Sequence, residues 1–550
     1  MSSLMGAGQA GPEEINVDRI LAGTADSRAV ADISDGRESG KSKLTLGPGV
    51  WLTGAAFVAV EMAVSARYGF YSDELYFLAA GRHLAFGYVD QPPLAPLLTR
   101  VSTIVFGDSL SALRVIPAIA GGALVVIAGL IARLLGGGRA ASLLTALAVG
   151  CAPVTLMTAH FATTTIYDLL SWSAVLALTL AAVLRHRPKL WLAAGAVTGV
   201  ALENNNLILL LVAALLCGLV LTRRWEVLRT PWLLGGAAVA LALWAPYLAW
   251  QATHGWPELT VARALQVLHS SAHDHITVVP AEFAYLGLAA LPLAVIGAIR
   301  LVRDRSLRFL GIAAGLVFAY VVVEVPGRRY YPDGLLPLIF AAGAVTIESH
   351  VSSRRTLRAW MLAPPIGAAL TVALFLPIVP ISAIHQVPLL HRLNSDTGET
   401  IGWPQLTAEV ARVFNGLPAG QRAQASIFTN GYAEAAAISW YGPAQQLPTP
   451  LSGSNNYWLW GPGREPDGTV VAVGTGAELR QYFDSCTRAA TFRTPYDINN
   501  SENGVTISVC TGPHASWPQL WPRVRNYGWE SLAQEHQEQG KRAHGIIPAP

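Results

Sequence analysis

Three features predict a polytopic all-α membrane protein with a small α/β domain at its C-terminal end. Mean hydropathy is +0.40, and only 13% of the 550 residues are charged, against about 25% in soluble domains. Apolar stretches of bilayer length recur between residues 46 and 384. Beyond residue 385 they give way to short β-rich runs alternating with helix-like segments. So few charges could not coat a soluble enzyme of this size. The net charge of +3 gives no basis for a nucleic-acid partner.

The chain divides by charge. Residues 1–45 hold 12 charged side chains, are rich in Gly, Ser and Ala, and lack an apolar h-region. They read as a disordered cytoplasmic tail and not as a signal peptide. Residues 46–384 form the transmembrane domain. The first apolar stretch runs from Leu46 to Ala66. Others follow at 112–134, 140–158, 167–185, 190–203, 206–222, 231–252, 279–300, 307–324, 332–348 and 358–382, giving about 11 spans.

With the tail inside, the inner loops carry 15 basic residues and the outer loops seven. The excess of Arg and Lys on one side orients a multi-pass plasma-membrane protein, N-terminus cytoplasmic and C-terminal domain extracytoplasmic. The acids show the reverse bias, since 12 of the 15 between residues 46 and 384 lie at or near the outer ends. The chemistry is therefore expected at the outer face.

Residues 385–550 read as an extracytoplasmic α/β domain. Ala425–Thr429, Thr469–Val473 and Val505–Cys510 have strand composition, and 433–440 and 477–486 look helical. Cys486 and Cys510 can pair if this domain is outside, whereas Cys151 and Cys217 fall in apolar runs. The aromatic run Asn455-Asn456-Tyr457-Trp458-Leu459-Trp460 either recognises an acceptor or fills a core.

The first outer loop, residues 68–101, is the most informative stretch. Ser72 can cap a surface-lying helix with Asp73 and Glu74 in its first turn, and Leu94 to Val105 can form a second. The two acids are either helix-capping groups or a base for an acceptor hydroxyl. Glu61, within the first apolar stretch, is costly in lipid and should face protein. His254, His269, His273, Asp274 and His275 either bind a metal or form ordinary polar surface.

The runs Ser72-Asp73-Glu74-Leu75-Tyr76 and Gly87-Tyr88-Val89-Asp90-Gln91-Pro92-Pro93-Leu94 resemble the first extracytoplasmic loop of GT-C glycosyltransferases. The likeness is strongest to the family 39 group, protein O-mannosyltransferases and aminoarabinose transferases. It continues at Ala162–Asp168 and at Gly327-Arg328-Arg329-Tyr330-Tyr331-Pro332-Asp333.

The resemblance implies a GT-C fold and inverting transfer from a polyprenyl-phosphate sugar to a protein, lipid or wall-glycan acceptor, in contact with membrane lipid. Asp73 matches the family's catalytic acid, with Glu74 beside it and Asp168 as a second acid. Asp90, Gln91, Glu203, Asn205, Arg328, Arg329, Tyr330 and Tyr331 are the candidate substrate-binding residues. The arginines serve either as a phosphate clamp or as interfacial anchors, and Glu203 and its Asn neighbours line the cavity or form a polar turn. Gln91 and Asn205 stand where related enzymes often carry Lys, and their amides donate hydrogen bonds without charge.

No protein metal ligands are assigned, although a divalent cation is compatible with the chemistry. Two other classes share these features: a transporter or flippase for lipid-linked glycans, and a non-catalytic binding protein of the same fold.

Overall fold

The structure, a computed structural model, describes residues 44–268, 280, 283–324, 331–463 and 468–528. The N-terminal half supplies α1 (Pro48–Val64), α2 (Ser72–Arg82), α3 (Leu94–Phe106), α4 (Val115–Leu134), α5 (Arg139–Gly150), α6 (Pro153–Ala159), α7 (Thr164–Leu184), α8 (Leu190–Leu202), α9 (Ile208–Leu221) and α10 (Pro231–Thr253). Next come α11 (Pro257–Leu268), α12 (Leu291–Arg303), α13 (Arg308–Glu324), α14 (Leu336–His350) and α15 (Arg354–Phe375).

Each of the 11 predicted stretches contains helix, but the helices are shorter than a uniform set of spans requires. Among the described residues, Leu110–Leu134, Thr164–Leu184, Pro231–Thr253 and Arg354–Phe375 are long and apolar enough to cross a membrane. The pair α5 and α6, bent by 58° where Pro153 follows the break, makes a fifth if taken as one span. The remaining apolar helices, such as α8 and α9, are shorter than that, and their bounds fall within two residues of the predicted stretches 190–203 and 206–222.

Small residues let these helices pack closely, as contacts within lipid require. A Cβ on Gly195 would lie 2.0 Å from the Gly236 carbonyl oxygen, so α8 and α10 meet backbone to backbone. The same holds for α12 on α14, where a Cβ on Gly297 would lie 1.9 Å from Ile339 O.

Beyond Phe375 the chain forms α16 (Trp403–Asn415), α17 (Tyr432–Tyr441), α18 (Asn455–Trp460) and a five-stranded sheet. Its strands are β1 (Ser426–Thr429), β2 (Leu451–Ser452), β3 (Val470–Val473), β4 (Phe483–Thr491) and β5 (Thr506–Pro513), in the order β2-β1-β3-β5-β4. β1 runs parallel to β2 and β3, and β5 lies antiparallel between β3 and β4. The segment 477–486 was expected to be helical. It is helical only as far as Tyr482, an α-turn over Gly476–Leu479 followed by a 3-10 turn over Arg480–Tyr482, and then enters edge strand β4. Pairing with β5 overrides its local helical preference.

Cys486 and Cys510 are opposite one another on β4 and β5 and form a disulfide. It closes a loop whose ends are 24 residues apart. Cys486→Ser is expected to destabilise this domain by about 2–4 kcal/mol through loop entropy restored to the unfolded chain. Thermal unfolding under non-reducing conditions checks this, and an unchanged midpoint would refute it.

Candidate active site

α2 begins one residue earlier than a Ser72 cap implies. Tyr71 is the N-cap and Ser72 the first helical residue. The backbone N–H of Tyr71 donates to Glu74 Oε2 at 2.9 Å, which ties off the helix start.

Glu74 is fully buried and its acceptor capacity is spent. Arg114 donates from Nε to Oε1 at 3.0 Å and from Nη2 to Oε2 at 2.8 Å. Ala162 N, at the start of the second loop, donates to Oε1 at 3.0 Å. With Tyr71 these contacts occupy the roughly four acceptor positions of a carboxylate. Arg114 also donates to the backbone oxygens of Ser65 and Gly69, at 2.9 and 2.8 Å.

The network extends inward. Arg114 Nη1 lies 2.9 Å from His160 Nε2, and His160 Nδ1 lies 3.2 Å from Glu61 Oε2. Arginine only donates, so Nε2 is the acceptor and Nδ1–H points to Glu61. Glu61, expected to face protein, is buried against His160.

Asp73, one residue before Glu74, points the other way. It lines a cavity of about 250 Å³ together with Tyr76, Asp90, Gln91, Asn205 and Glu258. The C-terminal domain closes this cavity with Tyr432 and Asn455. Tyr432 Oη donates to Asp73 Oδ1 at 2.9 Å, across 359 residues of sequence.

Asp90 is held from two directions. Tyr76 Oη donates to Oδ1 at 3.0 Å and Asn455 Nδ2 donates to Oδ2 at 2.8 Å. Asn455 adopts a left-handed φ of 45°, a conformation that asparagine tolerates. Its Oδ1 accepts from Gly528 N at 2.8 Å. The loop is anchored further by Val89 N, which donates to Asn456 Oδ1 at 2.8 Å.

Burial, reinforced by the nearby charge of Asp73, pushes the Asp90 carboxyl up to about 7. A raised carboxyl pKa favours the folded state when protonated. That stability is complete below the unfolded value of about 3.9 and is lost as pH rises through about 7. Thermal midpoints measured from pH 4 to 7.5 should therefore fall with rising pH, and Asp90→Asn should flatten the curve. Parallel wild-type and variant curves would refute the assignment.

The remaining predicted residues divide. Gln91 is buried in the wall, and its Nε2 has no hydrogen-bond partner among the described residues. Asn205 lines the cavity. Asp168 sits on α7 and is buried, accepting from Asn204 Nδ2 at 2.9 Å, while Asn204 itself reaches the wall. Glu203 braces the start of α3, its backbone oxygen accepting from Leu94 N at 2.7 Å.

Arg328, Arg329 and Tyr330 lie outside the described residues, as do His269, His273, Asp274 and His275. Tyr331 opens the 3-10 turn Tyr331–Leu335. His254 stacks on Trp250 with ring centroids 4.1 Å apart. Among the described residues no group of three His, Cys, Asp and Glu side chains is arranged to hold a metal ion.

Cavity residues Tyr432 and Glu258 escaped sequence reasoning, and Asn455 entered it only as part of the aromatic run. Tyr432 and Asn455 come from the C-terminal domain, where no local signal ties them to Asp73. Glu258 accepts from Asn206 Nδ2 at 2.9 and 2.7 Å and from Tyr247 Oη. An acid just after an apolar span was its one available sign. The described wall thus carries three carboxylates, Asp73, Asp90 and Glu258, and no Lys or Arg.

Residues 90–250 match the family model of dolichyl-phosphate-mannose-protein mannosyltransferases. That stretch includes Asp90, Gln91, Asp168, Glu203 and Asn205 but not Asp73. Among solved structures, ArnT from Cupriavidus metallidurans bound to undecaprenyl phosphate is 18% identical with a TM-score of 0.55, over 83% of this chain and 97% of that one. Its apo form is 16% identical with a TM-score of 0.55, over 84% and 98%. No curated protein matches the sequence. The chain has the GT-C fold, with several apolar helices and a small C-terminal sheet domain.

Proposed function

We propose that this GT-C-fold chain is an inverting membrane glycosyltransferase that moves a sugar from a polyprenyl-phosphate donor to an acceptor hydroxyl or amine at the outer face. The likeness to a protein bound to undecaprenyl phosphate supports the donor class, and the mannosyltransferase family match supports the transferred group. The observation that carries the reading is the position of Asp73, on a cavity walled by the first loop, the second-loop helix and the C-terminal domain.

In the proposed step the acceptor oxygen attacks the anomeric carbon and its proton passes to the Asp73 carboxylate. The bond from that carbon to the phosphate oxygen breaks, and its electron pair leaves with polyprenyl phosphate. Tyr432 orients Asp73, while the buried Arg114–Glu74 pair makes Glu74 a positioning residue. Asp168 acts through Asn204. Gln91, whose Nε2 has no partner among the described residues, and Asn205 offer uncharged donors to sugar or phosphate oxygens.

Since the described wall is acidic, neutralising the departing phosphate falls to Arg328 and Arg329, with Tyr330 and Tyr331 beside them, or to a divalent cation. The bias of basic residues and the disulfide support a plasma-membrane orientation with the C-terminal domain outside. In that arrangement the 11 apolar stretches all act as spans. The transferred sugar is a hexose or pentose, and the acceptor is a protein, lipid or wall glycan.

Proteoliposomes supplied with radiolabelled polyprenyl-phosphate mannose and polyprenyl-phosphate arabinose, together with envelope extract, test this. A new glycosidic product with release of polyprenyl phosphate is the expected result. Label crossing the bilayer with no such bond would replace the reading with a transporter.

A further inference from the structure

A second cavity, of about 510 Å³, lies between the C-terminal end of α2 and the C-terminal domain. Its volume falls within the range of small-molecule sites, about 300–1,000 Å³. One wall is aromatic. His83 stacks on Trp460 with centroids 4.4 Å apart and rings 24° from parallel, and Tyr457 meets Trp460 edge-on at 4.7 Å.

The facing wall is the segment Leu447-Pro448-Thr449-Pro450. Proline lacks a backbone N–H, so this wall offers carbonyl acceptors with few competing amide donors. Ser439 and Tyr457 also line the space, and among the described residues their hydroxyls share one bond, of 3.3 Å, which leaves both with spare hydrogen-bonding capacity. Arg82 borders the same cavity and forms no ion pair among the described residues, its guanidinium lying 5.4 Å from the Trp440 ring centre.

The two cavities are connected through aromatic side chains. The Tyr457 ring lies 6.5 Å from that of Tyr76, whose hydroxyl holds Asp90 in the Asp73 cavity. Trp458, the other tryptophan of the aromatic run, does not line this cavity. Its indole N–H donates to Trp521 O at 2.9 Å, and Trp521 returns the bond to Trp458 O at 2.8 Å.

We propose that this second cavity binds a saccharide, the glycan portion of the acceptor, and holds it so that its end reaches the Asp73 cavity. A sugar ring presents a C–H face suited to Trp and Tyr and a rim of hydroxyls suited to carbonyl oxygens and a guanidinium. A hydrocarbon chain would leave those polar groups unsatisfied. The inference rests on the transferase reading for the word acceptor, though not for binding itself.

The test uses the full-length protein in phosphatidylcholine nanodiscs, because maltoside detergents carry a competing sugar. Mannotriose, an arabinofuranose trisaccharide and a Ser/Thr-rich decapeptide are offered without donor, and binding is read by saturation-transfer NMR. One of the trisaccharides should bind. Trp460→Ala should weaken it at least tenfold, Trp460→Tyr should restore most of the affinity, and Arg82→Gln should weaken it several-fold from the opposite side.

If neither trisaccharide binds, if the peptide alone binds, or if binding ignores both Trp460→Ala and Arg82→Gln, the proposal is overturned. A saccharide bound here by a protein that forms no glycosidic bond would leave this site standing and remove the transferase reading.

Discussion

Asp73→Asn is expected to cut sugar transfer by about 10²–10⁴-fold, the usual range for loss of a positioned general base. The replacement is close to isosteric, and its amide oxygen can still accept the bond that Tyr432 now donates at 2.9 Å. What disappears is the basicity needed to take the proton from the attacking hydroxyl. The loss should therefore fall on turnover, with donor affinity changed much less. Release of labelled polyprenyl phosphate by wild type and variant, purified side by side, measures it. Equal release would remove Asp73 from the mechanism.

The second large effect concerns the neighbouring acid. Arg114→Met should lower stability by about 3–5 kcal/mol, because it strands a buried carboxylate without its partner. Glu74 and Arg114 are only 0% and 2% exposed, respectively, so water cannot replace the lost contacts. The damage should spread, since Arg114 also ties the ends of α1 and of the first loop through Ser65 and Gly69. Adding Glu74→Gln to Arg114→Met should recover part of the loss, because a neutral amide is less costly to bury. Thermal unfolding of the single and double variants in nanodiscs checks this. A single variant as stable as wild type would show that Glu74 does not depend on Arg114.

Residue patterns alone carried some of this architecture and missed the rest for identifiable reasons. Apolar runs place helices well, because lipid forces each span to satisfy its own backbone. They overstate helix length where Pro153 redirects the chain, between α5 and α6. Strands β1, β3 and β5 announce themselves by their Val and Ile content. β4 does not, since an edge strand of largely exposed side chains has no such composition.

The same division holds at the site. Asp73 and Glu74 are adjacent, both acidic and both in the first turn of α2. Nothing in their spelling separates a cavity carboxylate from a buried ion pair. The roughly 100° turn between successive helix residues separates them in space. Arg114 then captures one, and the C-terminal domain covers the other.

By itself the sequence determined the membrane class and the first-loop motif, and it offered the cysteine pair that the fold then joins. These are local or compositional properties, legible wherever charge and hydropathy are. Only the tertiary structure decided that Tyr432 and Asn455 complete the Asp73 cavity and that Glu74 is spent on Arg114. It also showed that Trp460, and not Trp458, lines the second cavity. Each of these depends on which side chains from distant segments meet. That follows from how the C-terminal domain packs on the first loop, and residue spacing does not encode it.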